Sequence, residues 1–253
     1  MDSYYLLIDI GNSFSKLNLY SHINDQNIKN EVVKVDEINK ILRTKFVSYK
    51  ITFVFICSVK KLIGNLINDI KLQLGCDVEL FIPNKYQLIT SKYKDFTSLG
   101  ADRWAAILAI HLQEYKNFCV IDCGTAVTVD YVIEDEHKGG LIGPGVLTLS
   151  SCLTKTADKI GEVDKNVLNK QLDFYSNSTS LCISNASKLY FKSFIGSVLQ
   201  HNKDKYGSAF TSFITGGDYL FFNNSKNFNL IYSDNLVIQG LLYIYKTYIS
   251  KKK

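Results

Sequence analysis

A carboxylate, a glycine turn and a lysine occur together near the start of the chain, in the segment Asp9–Lys16. A carboxylate at the end of a strand can hold hydrated Mg²⁺, because this ion keeps most of its waters and takes one or two carboxylates plus phosphate oxygens. A glycine turn lets backbone N–H groups approach an anion, and Asn12, Ser13 and Lys16 add donors and charge. The alternative is an ordinary hairpin turn.

A second group combines an acid with one of the few arginines. Asp102 and Arg103 follow Gly100-Ala101 and precede apolar residues at helical spacing, so the pattern places them at a helix N-terminus. There the helix dipole stabilises an ionised carboxylate. Such an aspartate can accept a proton from an alcohol, and the arginine can clamp an anionic group of a substrate. The alternative is a helix-capping aspartate beside a surface arginine.

The first pattern recurs later in the chain. Asp122-Cys123-Gly124-Thr125 repeats Asp9-Ile10-Gly11-Asn12 at a constant offset of 113 residues. Two interpretations stay open, either a duplicated domain of about 110 residues with a cleft between the halves, or two unrelated hairpins. The glycine-rich segments 139–145 and 215–218 indicate either close backbone approach to a ligand or tight connections.

Hydrophobic patterning predicts the elements that would position these residues, in an α/β fold. In the first half, strands are predicted at 4–9, 14–20, 31–35, 51–57 and 78–82, and helices at 36–46, 60–74 and 101–115. In the second half, the prediction is a strand ending at the Asp-x-Gly turn, a strand at 127–133, a turn at 134–139, a short strand at 140–142, a helix after Gly145, a helix at 180–201, a strand at 209–214, a turn at 215–218 and a last helix at 235–250. The expected domains are 1–115 and 116–253, with the last helix able to pack back on the first.

Composition narrows the class of protein. The chain has 253 residues, of which 46% are hydrophobic and 21% charged, as in globular proteins. Its apolar runs fall short of the ~18 residues of a membrane helix, and it lacks a signal-peptide pattern, so we expect a cytoplasmic protein without a membrane partner. A net charge of +5 that rests on lysine rather than arginine argues against a nucleic-acid partner. The cysteines and histidines lack paired or ligand-like spacing, so we expect free thiols and no zinc site.

Five motifs in this order resemble the type III pantothenate kinases, within the acetate/sugar kinase–Hsp70–actin superfamily. The motifs are Asp9-x-Gly11-Asn12-Ser13-x-x-Lys16, Gly100-Ala101-Asp102-Arg103, Asp122-x-Gly124-Thr125-Ala126, Gly139-Gly140-x-Ile142-x-Pro144-Gly145 and Thr215-Gly216-Gly217-Asp218. The resemblance covers nearly the whole chain. It implies two tandem ribonuclease-H-like domains, the duplicated fold of actin-like ATPases, with a cleft between them. It also implies ATP-dependent phosphorylation of pantothenate to 4′-phosphopantothenate, the first step of coenzyme A biosynthesis.

The resemblance also implies roles for single residues. Asp102 would be the catalytic base, Asp9 would hold Mg²⁺ through water, and Asp122 would hold a monovalent cation, K⁺ or NH₄⁺. The residues implied to bind ATP are Asp9, Ile10, Gly11, Asn12, Ser13, Phe14, Ser15, Lys16 and Thr125. The residues implied to bind pantothenate are Tyr93, Gly100, Ala101, Asp102, Arg103 and Thr179.

The sequence departs from the family pattern in places. Ser13 replaces a threonine and keeps its hydroxyl, and Asn185 replaces a glycine about six residues after Thr179. The resemblance further implies a homodimer with its site near the subunit interface. Two other functions remain open, a non-catalytic nucleotide-binding regulatory protein of the same fold, and a kinase for another small hydroxyl compound. No P-loop motif is present, which excludes the P-loop enzymes.

Overall fold

The chain forms two compact units. A computed structural model describes residues 2–60, 63–156, 171–222 and 228–252. The first unit comprises Met1–Tyr115, Asp135–His137 and Asn235–Lys253. The second comprises Lys116–Glu134 and Lys138–Asp234. No helix in the described ranges is both long and apolar enough to cross a bilayer.

The first unit is built on a five-stranded sheet. Its strands are β1 (Tyr4–Ile10), β2 (Ser15–Ser21), β3 (Asn27–Val33), β4 (Ile51–Ser58) and β5 (Asp77–Leu80), in the order β3-β2-β1-β4-β5. β2 runs antiparallel to β1 and β3, whereas β4 runs parallel to β1 and β5. Its helices are α1 (Ile38–Lys45), α2 (Gly64–Leu74), α3 (Ala101–His111) and, from the end of the chain, α6 (Leu236–Ile244).

Alternation along the strands decides what each face of this sheet contacts. Leu6, Ile8 and Ile10 of β1 are fully buried in one cluster with apolar residues of α1 and α2. The side chains between them point to the other face, because successive side chains of a strand alternate. There the Tyr5 ring stacks on Tyr245, which follows α6, with centroids 4.2 Å apart. Asp9 therefore shares the face on which α3 and α6 pack.

The second unit repeats this plan. Its strands are β7 (Phe118–Cys123), β8 (Ala126–Ile133), β9 (Glu136–Pro144), β10 (Thr211–Thr215) and β11 (Leu230–Tyr232), and its helices are α4 (Val146–Thr156) and α5 (Thr179–Tyr206). The first two residues of β9, Glu136 and His137, belong to the first unit. The order β9-β8-β7-β10-β11 matches that of the first sheet strand for strand, with the same antiparallel hairpin and the same parallel neighbours. The interpretation as a duplicated fold is therefore confirmed, and that as unrelated hairpins is wrong, whereas the cleft between the halves stays a prediction.

The structure corrects several predicted bounds. β3 begins four residues before the predicted 31–35 strand, and α3 ends at His111 rather than at 115. The predicted helix 60–74 begins at Gly64, and its residues 61–62 lie outside the described residues. β11 and the two-residue β6 (Thr90–Ser91) were not predicted, and β6 pairs with Glu136–His137 of the first unit.

Two larger corrections concern backbone conformation. The predicted turn 134–139 is too long, because Glu134 and Asp135 alone make the turn, with φ of 54° and 57°. The strand predicted at 140–142 is present but begins four residues earlier, at Glu136. The predicted last helix 235–250 is also wrong at both ends. Asn235 is left-handed with φ 53°, and after Ile244 the chain continues as a π-helical turn, Tyr245–Ile249, and a 3₁₀ turn, Ser250–Lys252.

A glycine decides how closely α6 packs on α3. A Cβ placed at Gly240 would collide with the backbone oxygen of Ala105. We expect Gly240→Ala to lower the free energy of unfolding by about 1–3 kcal/mol, because the two helices would have to separate. Urea unfolding measures this change. The matched control is Gly64→Ala at the start of α2, where nothing lies within 4 Å of the added Cβ. Equal stability of the two variants would contradict the packing.

Candidate active site

The loop between β1 and β2 is a tight hairpin with exposed polar residues at its tip. Gly11 N–H donates to Phe14 O at 3.0 Å, which closes the turn. Asn12 and Ser13 at its tip are exposed. The flanking Ile10 and Ser15 are fully buried, so their side chains are not available to a ligand. Of the loop residues implied to bind ATP, these two could contribute only through their backbone.

Lys16 is held by a residue from the far end of the sequence. Its Nζ donates to Asn235 Oδ1 at 2.7 Å, within the first unit. An ammonium group has three donors, so this bond leaves donors that can contact phosphate oxygens. Asn235 adopts the left-handed conformation, which asparagine tolerates better than most residues. The sequence carries no local signal for this contact, because 219 residues separate the partners.

Asp9 and Asp102 both lie near a buried thiol. Cys57 on β4 is the register partner of Asp9 on β1 and is fully buried. Burial raises the pKa of the Cys57 thiol, and the negative charges of Asp9 and then Asp102 raise it further. Both carboxylates therefore raise the pKa of the same thiol, near the end of β4. The structure thus brings together the predicted metal-binding acid and the predicted base.

The first turn of α3 fixes the Asp102 carboxylate. Its Oδ1 accepts the backbone N–H of Arg103 at 2.8 Å. The same oxygen lies 2.6 Å from where a Cβ at Gly100 would stand, so a larger residue at the helix N-cap would displace the Asp102 carboxylate. The N-terminal end of the helix dipole favours the ionised form of this acid.

Arg103 is buried rather than on the surface, so the interpretation as a surface arginine is wrong. Its side chain is 8% exposed. Nη1 donates to the hydroxyl of Tyr93 at 3.1 Å, and the guanidinium carbon lies 5.5 Å from the centre of the Tyr93 ring. The structure therefore places Tyr93, Gly100, Asp102 and Arg103, four of the residues implied to bind pantothenate, in one neighbourhood.

In the second unit, Asp122 occupies the position that Asp9 has in the first. It ends the apolar strand β7 and pairs with Thr215 on β10, as Asp9 pairs with Cys57. A Cβ at Gly216 would collide with the backbone oxygen of Cys123 and come within 2.6 Å of Asp122 Oδ1. Two oxygens thus converge on this glycine, in a cradle that any side chain would fill.

Thr125 and Asp218 connect the remaining glycine-rich motifs to the start of α4 by hydrogen bonds. The backbone oxygen of Thr125 accepts Gly145 N–H at 3.0 Å and the Thr148 hydroxyl at 2.6 Å. Asp218 Oδ2 accepts the backbone N–H of Val146, the first residue of α4, at 3.1 Å. Burial raises the pKa of Asp218, and this hydrogen bond lowers it by less. The glycine motif 215–218 pointed to this place, but the role of its aspartate was not predicted.

Thr179 lies at the start of a long helix. It is the exposed first residue of α5, after Ser178, whose hydroxyl accepts the Leu181 N–H at 3.3 Å. It belongs to the second unit, whereas Tyr93 and Arg103 belong to the first. Its contact with pantothenate stays a prediction.

The donor atoms fit the ions that the resemblance implies. Within the described residues, no three His, Cys, Asp or Glu side chains gather as a metal site. Mg²⁺ does not need such a group, since it takes one or two carboxylates and completes its shell with water and phosphate. Asp9 provides a carboxylate of this kind. The oxygens of Asp122 and Cys123 suit a monovalent cation such as K⁺, because K⁺, like Mg²⁺, prefers oxygen ligands.

Solved structures share the fold. A putative Baf family transcriptional activator from Campylobacter jejuni matches with a TM-score of 0.60 and 22% identity, over 95% of this chain and 97% of that one. MreB 5 of Spiroplasma citri, solved with AMPPNP, matches with a TM-score of 0.54 and 13% identity, over 99% and 98% of the two chains. The class is thus that of the duplicated α/β fold of actin-like ATPases, as predicted.

Sequence comparison identifies the family. The family model for type III pantothenate kinase matches residues 5–201. The type III pantothenate kinase of Pseudoalteromonas atlantica is 28% identical over 247 residues, which are 94% of this chain and 95% of that relative. The chain therefore belongs to the type III pantothenate kinase family, and the resemblance drawn from the five motifs is confirmed.

The paired glycines 216 and 217 provide a test of the second site. Gly216→Ala forces a side chain into a backbone with φ +89° and against Asp122, so we expect a loss of about 2–4 kcal/mol in stability. Gly217→Ala has nothing within 4 Å of its added Cβ and should be nearly neutral. Thermal unfolding of both variants measures the difference. A neutral Gly216→Ala would show that the cradle does not exist.

Proposed function

We propose that Asp102 and Arg103 form the substrate side, and the Asp9–Lys16 loop the nucleotide side, of a pantothenate kinase site. As a member of its family, the protein transfers the γ-phosphoryl group of ATP to the hydroxyl of pantothenate, the first step of coenzyme A biosynthesis. One observation supports these roles most directly. Asp9 and Asp102 come from separate motifs, and both lie near the buried Cys57 and raise the pKa of its thiol.

On the substrate side, pantothenate offers a hydroxyl group and a carboxylate. Asp102 at the helix N-terminus is suited to accept the hydroxyl proton. Arg103, with its planar set of donors, is suited to bind the carboxylate in two parallel hydrogen bonds. The Tyr93 hydroxyl fixes the guanidinium, and Gly100 and Ala101 would form the wall beside it. Thr179 would add a hydroxyl contact from the second unit.

On the nucleotide side, the hairpin loop supplies donors for phosphate oxygens. Asn12, Ser13 and the backbone of the turn are accessible, and Lys16 is directed by Asn235. Thr125 of the second unit would contribute a further ATP contact. Asp9 would hold Mg²⁺ through water, and the ion would supply charge neutralisation for the β- and γ-phosphates. Asp122 would hold a K⁺ or NH₄⁺ ion in the same way.

Because phosphoryl transfer has a loose transition state, the protein contributes mainly by positioning the reactants and neutralising the charge of the phosphates. The hydroxyl oxygen of pantothenate attacks the γ-phosphorus as the bond to the ADP oxygen breaks. Asp102 holds that hydroxyl in line and takes its proton. Lys16 and the turn amides hold the charge of the phosphates.

Two further parts of the proposal concern the setting of the enzyme. The family resemblance implies a homodimer, which we include. We also place the protein in the cytoplasm, because that is where ATP is supplied.

The first test replaces the base. Asp102→Asn keeps the shape and the hydrogen bond from Arg103 N–H but cannot take a proton, so kcat should fall by about 10²–10⁴. Formation of 4′-phosphopantothenate from ATP, Mg²⁺, K⁺ and pantothenate, followed by mass spectrometry, measures this. Asp36→Asn, at an exposed acid of the same unit, is the control.

Three results would contradict the proposal. Near-normal kcat in Asp102→Asn would remove this residue as the base. Nucleotide binding without turnover of any alcohol would favour a regulatory protein. Turnover of another alcohol in a substrate panel, with none of pantothenate, would favour a different small-molecule kinase.

A further inference from the structure

A completely buried histidine lies behind the pantothenate side of the site. His137 is 0% exposed and belongs to the first unit. Its Nδ1 and the Ser91 hydroxyl are joined by a hydrogen bond of 2.8 Å. The same hydroxyl oxygen accepts the backbone N–H of Tyr93 at 3.2 Å, and the His137 backbone oxygen accepts Lys92 N–H at 2.9 Å. Two hydrogen bonds thus join the segment 91–93 to His137, and a third, from Tyr93 N–H to Ser91 Oγ, lies within the segment.

The imidazole ring also contacts two aromatic rings. It stacks on Tyr93 with centroids 5.9 Å apart and an interplanar angle of 18°. Its other contact is with Trp104, at 5.9 Å and 68°. Trp104 is itself fully buried and held by a 3.0 Å hydrogen bond from Nε1 to Tyr86 O. His137 therefore fills the space between a fixed ring and Tyr93, and limits how Tyr93 can turn.

Tyr93 passes this constraint on to the arginine. Its hydroxyl accepts Arg103 Nη1 at 3.1 Å, and its ring lies under the guanidinium. A planar guanidinium binds a carboxylate well only in one orientation, because both parallel hydrogen bonds must form together. A change in the orientation of the Tyr93 ring would therefore turn the guanidinium and weaken its bonds to the substrate carboxylate.

A histidine is a costly choice for packing alone. Burying an imidazole nitrogen requires a hydrogen-bond partner, and an apolar ring would fill the same space without that need. The Ser91 bond meets the requirement and at the same time orients the imidazole plane. Packing explains a ring at this position, whereas the bonded nitrogen explains why the ring is a histidine.

We propose that His137 is a positioning residue for pantothenate, which sets the orientation of Tyr93 and, through it, of the Arg103 guanidinium. The inference rests on the proposed role of Arg103 and adds to it the residue that prepares this arginine before substrate arrives. His137 itself does not contact the substrate. Its loss should therefore weaken pantothenate binding and leave ATP binding unchanged.

Two substitutions separate the two contacts of the ring. His137→Phe keeps the stacking but loses the hydrogen bond, and His137→Asn keeps a hydrogen-bonding atom near Nδ1 but loses the stacking. We expect each to raise the KM for pantothenate by about 5- to 30-fold, the effect of one misdirected hydrogen bond to a charged group. The KM for ATP and kcat should stay within about twofold of the wild type, as for a loss of ground-state binding. Ser91→Ala, at a half-buried position, should reproduce the Phe result if both histidine variants fail to fold.

His22 provides a matched control in the same unit. Its Nε2 contacts the Thr52 hydroxyl at 2.9 Å and its ring lies 5.0 Å from that of Tyr5, so it has the same kinds of partner away from Tyr93. His22→Phe and His22→Asn should leave the pantothenate KM unchanged. Thermal unfolding and the emission of Trp104, the only tryptophan, report whether each variant is folded.

Calorimetric titration with pantothenate distinguishes a failure of the proposed function from a failure of the role of His137. Wild-type protein that does not bind pantothenate would overturn the proposed function. Wild-type binding that is matched by folded His137→Phe, His137→Asn and Ser91→Ala would overturn the inference alone. An equal rise of the KM values for ATP and pantothenate would also overturn it, because it would indicate a general structural loss.

Discussion

A carboxylate held at the end of an apolar strand is the constraint around which both units are organised. Asp9 stands between the fully buried Ile8 and Ile10, and Asp122 between the fully buried Ile121 and Cys123. An apolar core disfavours charge, so an ionised carboxylate in such a place needs compensating partners. The neighbouring thiol of the first unit stays neutral. Burial and the two acids raise the pKa of Cys57, so the thiol adds no third negative charge.

The duplication explains why this arrangement occurs twice and where the copies differ. In both units the acid lies between a hairpin partner and a parallel partner, Lys16 and Cys57 for Asp9, Thr128 and Thr215 for Asp122. The copies diverge at the turn. The first is closed by Gly11 and Phe14 around two exposed polar residues, whereas the second is closed by Gly124 and Ala126 around one. The first turn thus exposes one more polar residue than the second, which fits its assignment to phosphate.

Much of the fold and part of the site could be predicted from the sequence. Strands such as β1, β4 and β7 are continuous apolar runs, and the first turn of α3 is marked by its spacing. Glycines were the main source of error. Gly139 was predicted to end a turn, but it lies within β9, as does Gly140, where a Cβ would collide with the backbone of Val129. A glycine required for close approach and a glycine required for a turn have the same letter.

The contacts that direct the site residues could not be predicted, for a different reason. Periodicity identifies which side of an element is apolar, but it does not say which distant residue reaches a given atom. Asn235 contacts Lys16 across 219 residues, and Ser91 contacts His137 across 46. Both contacts depend on left-handed or two-residue elements, Asn235 itself and β6, that are too short to leave a pattern. The type of a site residue can therefore be predicted from local sequence, whereas its orientation requires the fold.

Asp218 shows how the second unit retains an electrostatic cost. Burial raises its pKa, so the folded state disfavours the ionised form, and its contribution to stability declines as the pH rises through that pKa. An amide could accept the Val146 N–H without this cost. The carboxylate is instead kept close to a second one, since Asp122 and Asp218 both raise the pKa of Cys123 after the effect of burial. Two acids around one thiol leave negative charge at the end of this sheet, which a bound cation would offset. The Asp218 carboxylate thus adds negative charge beside the oxygens that surround Gly216.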